Sequence, residues 1–397
     1  MTGSSGLADR LLDSALDITE LLLDHVVQPA LDNDESADFT KEISEIAMLL
    51  RLIERASDDP RCAGRVDALA GRIAPIAHGR RIREQVVGRP SRAIPLLLAH
   101  ACLHKLGYGD AGFHELALSA VHASAAQAEE RVPYRLLDSG WIRHMLLGDS
   151  ELAQPALEVS PIARGVDLLA TTIDDAYAFS HALPYATDFG RLALPEWADN
   201  DWLSEIADAL ILKALDEDDL DLLGELLMAP ALLRRDWSAC AWFGWQLLIQ
   251  TWQQYGFVPG PGLPPAAPAE TGTQASRRVL GTVYHTTLVG GLLVASVTSY
   301  GHWPPALPPA GHPGVHGAPR VTGTVRAWQR HWQQLPPEWQ SSLAAVPAGI
   351  ALHRALSGTD VVAITDCLRG PWLDLLPSVL VGQSVEFLNR LAILVGS

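Results

Sequence analysis

The chain has 397 residues, of which 48% are hydrophobic and 19% charged, so it is long and apolar enough to build a large core and is not disordered. Its 46 acidic and 29 basic residues give a formal net charge of −17, which argues against nucleic acid or an anionic membrane surface as a partner. The four cysteines form no CxxC pair and predict neither a zinc framework nor disulfides. The N-terminal stretch lacks the basic start and the unbroken apolar run of a signal peptide, so we expect a soluble cytoplasmic protein.

Apolar residues recur every three or four positions along most of the chain, which is the spacing of helices that bury one face. The first such segment runs from Leu7 to Val26, with acidic residues between the apolar ones. The same spacing predicts further helices, in chain order, at 37–56, 61–78, 92–106, 111–129, 134–147, 172–186, 199–215, 219–228, 236–255, 274–299, 322–334, 337–356 and 382–395. No segment alternates like a strand, so we predict an all-α fold of antiparallel helix pairs, arranged as an incomplete α/α ring or a solenoid-like array. We expect one helical domain over 1–397, with a possible division into an N-terminal subdomain 1–90 and a main domain 91–397.

Two stretches rich in proline and glycine, 258–269 and 302–319, interrupt the helical pattern. Proline removes a backbone donor and disfavours helix at the preceding residue, so both stretches are predicted to be loops. The helix predicted between them, at 274–299, has no charge over most of its length and is long enough to cross a membrane. Its tyrosine, histidine, threonine and serine residues favour a buried central helix of a soluble protein instead.

The segment 174–191, DDAYAFSHALPYATDFGR, holds the first candidate for chemistry. His181 and Asp188 are seven residues apart, so on a straight helix both side chains would lie on one face. Asp188 comes near the predicted end of the helix, where a negative charge is unfavourable, and Arg191 is the nearest counter-charge. We interpret His181 and Asp188 as an acid–base pair. A helix-end salt bridge beside a core histidine is the alternative.

A second polar group interrupts the predicted central helix, where Thr282, His285 and Thr286 form one polar strip on an apolar helix. Such a strip needs partners if it is buried. A histidine that faces His181 from a neighbouring helix would complete a proton-transfer site. The candidate catalytic residues are therefore His181, Asp188 and His285. The candidate substrate-binding residues are Tyr185, Thr187, Thr282, Thr286, Trp245 and Trp252, with core packing as the alternative for the two tryptophans.

Signals for metals and cofactors are weak in this sequence. His100 and His104 have the i,i+4 spacing of helical metal ligands, with His114 or Glu115 as a third ligand, but no HExxH pattern accompanies them. The acidic run at 216–221 invites comparison with the magnesium motif of terpene synthases, but no second motif follows and acids are typical of a helix N-terminus. The chain also lacks the glycine-rich patterns that bind nucleotides and the GxSxG of serine hydrolases. We expect no metal and no cofactor.

Three stretches of the sequence, SHALPYATDFGR, YGFVPGPG and YHTTLVGGLL, resemble an uncharacterised all-helical family of actinobacteria, a domain of unknown function. The resemblance covers most of the chain from about residue 40 onward. It is sharpest in the His-x6-Asp-Phe-Gly segment that begins at His181 and in the pair Tyr284 and His285. It implies an all-helical cytoplasmic protein of the kind associated with natural-product gene clusters, and it supplies no reaction.

These observations predict a cofactor-independent enzyme that modifies a small molecule or peptide in natural-product biosynthesis by His/Asp acid–base chemistry, as a lyase, cyclase or isomerase. The alternative is a non-catalytic helical binding or scaffold protein for a biosynthetic partner. We expect no nucleic acid and no membrane among its partners, and a homodimer is possible.

Overall fold

Helices form nearly all of the regular structure in the computed structural model, which describes residues 2–34, 37–123, 131–148, 154–260, 273–309 and 325–396. The described residues contain no β-strand, so the all-α prediction is confirmed. A π-helical turn, Leu23–Val27, joins the first two helices. The helices of the N-terminal part are α1 (Thr2–Leu22), α2 (Gln28–Asn33), α3 (Thr40–Ala56), α4 (Pro60–Ala77), α5 (Arg80–Gly88), α6 (Ala93–Leu96), α7 (Leu98–Lys105), α8 (Ala111–His122), α9 (Pro133–Leu147), α10 (Gln154–Val159) and α11 (Pro161–Arg164).

The remaining helices are α12 (Ile173–Thr187), α13 (Asn200–Glu217), α14 (Leu220–Leu226), α15 (Ala229–Leu233), α16 (Ala239–Tyr255), α17 (Thr273–Ser299), α18 (Ala327–Gln334), α19 (Pro337–Ser342), α20 (Ala345–Ser357), α21 (Val361–Leu368) and α22 (Ser378–Gly396). The helix predicted at 337–356 is divided in two, as α19 and α20. Helices α2, α5, α10, α11, α15 and α21 were not predicted, because each is short. Of the two predicted loops, 258–260 and 302–309 are non-helical, and the rest of both stretches lies outside the described residues.

Side-chain caps fix where the two helices nearest the candidate site begin. In α12, the Thr172 hydroxyl accepts from the Asp175 N–H and the Asp175 carboxylate accepts from the Thr172 N–H, a reciprocal capping box. In α14, the Asp219 carboxylate accepts from the Leu222 N–H at 3.0 Å. Only the end of the acidic run 216–221 forms a helix N-terminus, with Asp219 as the N-cap and Asp221 in the first turn of α14, because Asp216 and Glu217 are the last residues of α13.

Helix α17 is the central element of the fold and packs against α1, α3 and α14. Its segment Val279–Ser299 is long and apolar enough to cross a membrane by length and composition, but 78% of its most apolar window is buried inside the protein. The predicted buried central helix is therefore confirmed. Helices from 1–90 and from 91–397 share one hydrophobic core, while the division into subdomains and the ring or solenoid arrangement stay predictions.

Two adjacent glycines allow the close packing of α17. A Cβ on Gly291 would lie 2.8 Å from Leu49 Cδ1 and 3.0 Å from Ala15 Cβ, so α1 and α3 both approach this backbone. A Cβ on Gly290 would lie 2.6 Å from the Trp252 ring. Because these two glycines have no side chains, α1, α3 and the Trp252 ring can pack directly against the backbone of α17.

We expect Gly291→Ala to lower the free energy of unfolding by about 1–3 kcal/mol, because the added methyl group must push Leu49 and Ala15 aside. Gly281→Ala is the matched control, since Gly281 lies on the same helix, is exposed and has no atom within 4 Å of its would-be Cβ. That variant should gain about 0.5–1 kcal/mol from the better helix propensity of alanine. Urea unfolding of both variants measures the two effects, and equal midpoints would contradict this packing.

Candidate acid–base site

Two buried carboxylates on α14 connect the two histidines that the sequence predicts to be catalytic. Asp221 and Glu225 are four residues apart, so they lie on one face of the helix. Glu225 Oε2 is 3.5 Å from His181 Nδ1 on α12, and Asp221 Oδ2 is 3.4 Å from His285 Nε2 on α17. A further carboxylate, Glu45 on α3, faces the other nitrogen of His285. We call these five residues the His–carboxylate cluster.

The position of the ring proton on His181 follows from its hydrogen bonding. Nδ1 lies 2.7 Å from the backbone carbonyl of Tyr177, one turn earlier on α12, so it carries the proton and donates it. Nε2 is then the basic nitrogen, and with 29% of the side chain exposed the ring is open to a ligand. The rings of Tyr134, Tyr177 and Tyr185 surround it, with centroids 5.6, 5.8 and 6.2 Å away. His181 is thus an oriented base in an aromatic setting.

Glu225 is placed to respond to a charge on His181. Burial raises the pKa of the Glu225 carboxyl, and the nearby His181 ring acts in the opposite direction. The Ser180 hydroxyl donates a hydrogen bond to Glu225 Oε2 and fixes its orientation. When His181 takes a proton, the carboxylate 3.5 Å away stabilises the resulting imidazolium.

His285 lies between two carboxylates, with Nδ1 3.1 Å from Glu45 Oε2 and Nε2 3.4 Å from Asp221 Oδ2. Burial alone would lower the pKa of His285, but the two carboxylates outweigh it and raise the pKa to about 10. Burial also works to raise the pKa of Asp221, and hydrogen bonds from His285 and Tyr177 hold it below its usual value. The Tyr177 hydroxyl donates to Asp221 Oδ2 at 3.0 Å. His285 is therefore a fixed positive charge at neutral pH.

Asp188 makes its ion pairs away from this cluster. Helix α12 ends one residue earlier, and Asp188 has the left-handed φ of 45°, so the straight-helix geometry that would place it beside His181 does not apply. Its buried carboxylate accepts a hydrogen bond from Trp141 Nε1 at 2.7 Å and pairs with Arg51 and Arg191, each at 3.3 Å. The predicted counter-charge from Arg191 is present, but the predicted pairing with His181 is replaced by a buried arginine cluster. These contacts favour the salt-bridge alternative for Asp188.

Three of the predicted substrate-binding residues, Tyr185, Thr286 and Thr282, lie within four residues of His181 or His285 on α12 and α17. Tyr185 packs between the ring of His181 and that of Trp141, with centroids 6.2 and 5.3 Å away. Thr286 is buried on α17 and helps to lower the pKa of Asp221, against the larger effect of burial. Thr282 lies one turn earlier on α17 and is exposed.

The other three predicted binding residues are engaged in the packing of the core. The Thr187 hydroxyl donates to the Leu183 carbonyl at 2.7 Å, which closes the last turn of α12. Trp245 packs edge-on against Trp237 and Trp303, each with centroids 5.5 Å away. Trp252 is buried against Gly290, and its indole N–H donates to Ser14 Oγ at 2.9 Å. These contacts favour the core-packing alternative for both tryptophans.

Glu45, Asp221, Glu225 and Tyr177 are functional candidates that the sequence did not reveal. The one available signal was the i,i+4 spacing of Asp221 and Glu225, which is common on solvent-exposed helix faces. The ligand atoms of Asp221, Glu225 and His285 lie within 4.8 Å of one another and have the spacing of a metal site. Both ring nitrogens of His285 face a carboxylate, at 3.1 and 3.4 Å, and this arrangement favours an ion-pair cluster here.

We expect the stabilising effect of His285 to fade as the pH rises. Its folded-state pKa of about 10 lies above the unfolded value of roughly 6.5, so its contribution is complete below about pH 6.5 and is lost as the pH rises towards 10. The lowered pKa of Asp221 means that its own contribution to stability is lost only in acid, below about pH 4. Urea unfolding of wild type and His285→Gln should therefore differ most near pH 6 and least near pH 10. A gap that is constant across this range, or one equally present in the exposed-histidine control His25→Gln, would contradict the ion pairs.

Removing the Asp188 carboxylate should be costly, because it leaves the buried guanidinium of Arg51 without its partner. We expect Asp188→Ala to lower the free energy of unfolding by about 3–5 kcal/mol. The double variant Asp188→Leu, Arg51→Met removes both charges and should recover much of that loss. Glu386→Ala, which breaks the exposed pair with Arg390, should change the unfolding curve very little. A small effect of Asp188→Ala would show that the arginine cluster does not hold the fold.

A comparison with protein-family models places the cluster inside one family. The model described as a domain of unknown function, DUF6895, matches residues 12–295, a range that includes every residue of the His–carboxylate cluster. No curated protein and no solved structure matches the chain. The resemblance to a family of unknown function is thus confirmed, and its actinobacterial origin stays a prediction. Because the match covers more than half of the sequence, the chain belongs to the DUF6895 family.

Proposed function

We propose that this protein is an enzyme that moves protons on a small molecule or peptide, with His181 as the general base. The observation that carries this proposal is the orientation of His181 by the Tyr177 carbonyl at 2.7 Å and by Glu225 at 3.5 Å. A histidine held in one tautomer by its Nδ1, with Nε2 accessible and a carboxylate behind it, is the arrangement that general-base catalysis needs. Nε2 would remove the proton, and Glu225 would stabilise the imidazolium that forms.

The second part of the proposed mechanism is the placement of His285. Its single positive charge lies between the carboxylates of Glu45 and Asp221, so it offsets their charge and adds no net cation to the site. The histidines are on α12 and α17, and α14 supplies a carboxylate to each of them. The ion pair with His285 therefore holds α14 where Glu225 reaches His181.

A cleft of about 610 Å³ lies next to this region and suggests the class of substrate. Its lining includes four arginines, Arg89, Arg92, Arg131 and Arg135. The carboxylate of Asp38, also in the lining, is already paired with Arg81 at 2.7 Å. Arg135 pairs with Asp138 at 3.5 Å, and Arg131 donates to the Ser139 hydroxyl and the Ser91 carbonyl. In a chain with a net charge of −17, four guanidinium groups at one cleft still favour an anionic ligand such as a carboxylate or phosphate.

The cleft and the base are connected through two residues of α9. The Arg135 guanidinium lies 5.0 Å from the Tyr134 ring centroid, and that ring lies 5.6 Å from His181. His181 does not itself line the cleft. We propose that the anionic group of the substrate binds among the arginines while the reacting carbon extends past Tyr134 to His181.

The reaction class follows from proton transfer alone. Lyase, cyclase and isomerase reactions can each proceed by removing one proton and delivering another, with no cofactor. Natural-product biosynthesis as the setting, the cytoplasm as the location and a homodimer as the assembly remain proposals that come from the sequence. A non-catalytic scaffold is the competing proposal.

The test is turnover of an extracted metabolite mixture in D2O, followed by mass spectrometry. The wild-type protein should consume an acidic compound or exchange one of its carbon-bound hydrogens for deuterium. We expect His181→Gln to slow that change by about 100-fold or more, the usual scale for a lost general base. His25→Gln, which changes an exposed histidine on the surface, is the matched control and should act like wild type.

A second variant separates binding from chemistry. Arg89→Ala should raise KM for the compound found and leave kcat nearly unchanged, because Arg89 lines the cleft and not the cluster. Equal rates for wild type and His181→Gln would reject the base. Absence of any turnover, together with a protein partner that co-purifies equally with wild type and His181→Gln, would favour the scaffold.

A further inference from the structure

Four histidines from three parts of the chain converge at a place distinct from the His–carboxylate cluster. His78 follows α4, His100 and His104 lie one turn apart on α7, and His114 lies on α8. We call them the imidazole cluster. His100 is fully buried at its centre. Its Nδ1 lies 2.9 Å from His78 Nε2, and its Nε2 lies 3.2 Å from His114 Nδ1.

The spacing of three of these rings is that of a metal site. One nitrogen each from His100, His104 and His114 lies within 4.8 Å of the others. Around a tetrahedral zinc with Zn–N distances of about 2.1 Å, neighbouring ligand nitrogens are about 3.4 Å apart. The 3.2 Å between His100 Nε2 and His114 Nδ1 already matches that edge. The His104 ring is stacked on that of His114, with centroids 4.2 Å apart and an interplanar angle of 8°, so it must turn out of the stack before its nitrogen can reach a metal held by His114.

Gly109 provides a close-fitting backbone surface for the third ring. A Cβ at this position would lie 2.5 Å from His104 Nδ1, so only glycine leaves room for the ring. The backbone of Gly109 is not in the left-handed region, and the turn itself does not demand glycine. The glycine at position 109 therefore leaves the room that the His104 ring occupies.

The chemistry of the cluster is the opposite of that around His285. Among the ion pairs of the described residues, none joins a carboxylate to His78, His100, His104 or His114. Imidazole nitrogens suit zinc, copper or nickel, and not magnesium or calcium. With the proton of His100 on Nδ1 and donated to His78 Nε2, 2.9 Å away, Nε2 of His100 would be left to bind the metal, and His78 would act as the outer partner that metal-binding histidines have.

We propose that His100, His104 and His114 bind a zinc ion, with His78 orienting His100 and with one coordination position left for water or another ligand. The proposal is independent of the acid–base function and revises the expectation of a metal-free protein. The sequence supplied the i,i+4 pair with His114 or Glu115 as a third ligand, and the fold selects His114 and adds His78. Zinc at this position would tie α7 to α8.

The test uses full-length protein purified without a histidine tag and stripped of metal with a chelator. Calorimetric titration with zinc chloride should show one site per chain, and cobalt(II) should give the visible absorption of a tetrahedral nitrogen site. We expect His78→Ala to weaken zinc binding by about 10- to 100-fold, the cost of losing an outer partner. His104→Ala and His114→Ala should weaken it more, and they avoid substituting the fully buried His100.

Two kinds of control locate the metal. Gly109→Ala keeps all four histidines and should still weaken binding, because the added methyl group takes up space that the His104 ring needs in order to turn towards the metal. His122→Ala, an exposed histidine on α8, and His285→Ala, in the other cluster, should both bind zinc like wild type. Less than one equivalent of zinc bound, unchanged affinity in both His104→Ala and His114→Ala, or loss of binding in His285→Ala would each overturn the proposal.

Discussion

The buried carboxylate of Asp188 determines the positions of the helices that carry the candidate site. It pairs with Arg51 and, at 3.8 Å, with Arg55, both on α3, and it follows the end of α12. The same α3 carries Glu45 two turns before Arg51, and the same α12 carries His181 two turns before Asp188. Because a buried pair is costly to break, α3 and α12 cannot shift independently. Asp188, which the sequence predicts to be catalytic, thus helps to position His181 and Glu45 but is not itself a member of the His–carboxylate cluster.

Helix α14 completes this arrangement because it approaches α17 so closely. Gly224 lies between Asp221 and Glu225, and a Cβ there would be 3.0 Å from Val289 of α17. Val289 is one turn beyond His285. A larger residue at 224 would push the two helices apart and lengthen the contact of Asp221 with His285. One short helix with a glycine in its middle therefore delivers a carboxylate to each histidine.

The sequence predicted the helices well because their apolar spacing is a local property, and α12 and α17 lie where it placed them. It also selected His181 and His285, two polar groups in unusual settings. It failed for Asp188, whose left-handed backbone rotates the side chain away from the helix face on which the spacing argument depended. It missed Glu225 because an i,i+4 pair of acids on a helix normally indicates solvent exposure. Only tertiary packing determines that this face meets α12 and α17.

Opposite electrostatic settings distinguish the two histidine clusters and decide what each can do. His285 has a carboxylate on each side and a pKa raised to about 10, whereas the two ring nitrogens of His100 face the imidazoles of His78 and His114. The first ring is held as a cation by its two carboxylates, which suits it to link three helices. The second lies among other imidazole nitrogens, which suits it to bind a metal. Helix α3 packs against both α17 and α7, so one buried helix separates the two chemistries. The two rings differ because α3 and α14 place carboxylates against His285, whereas α8 and the end of α4 place imidazoles against His100.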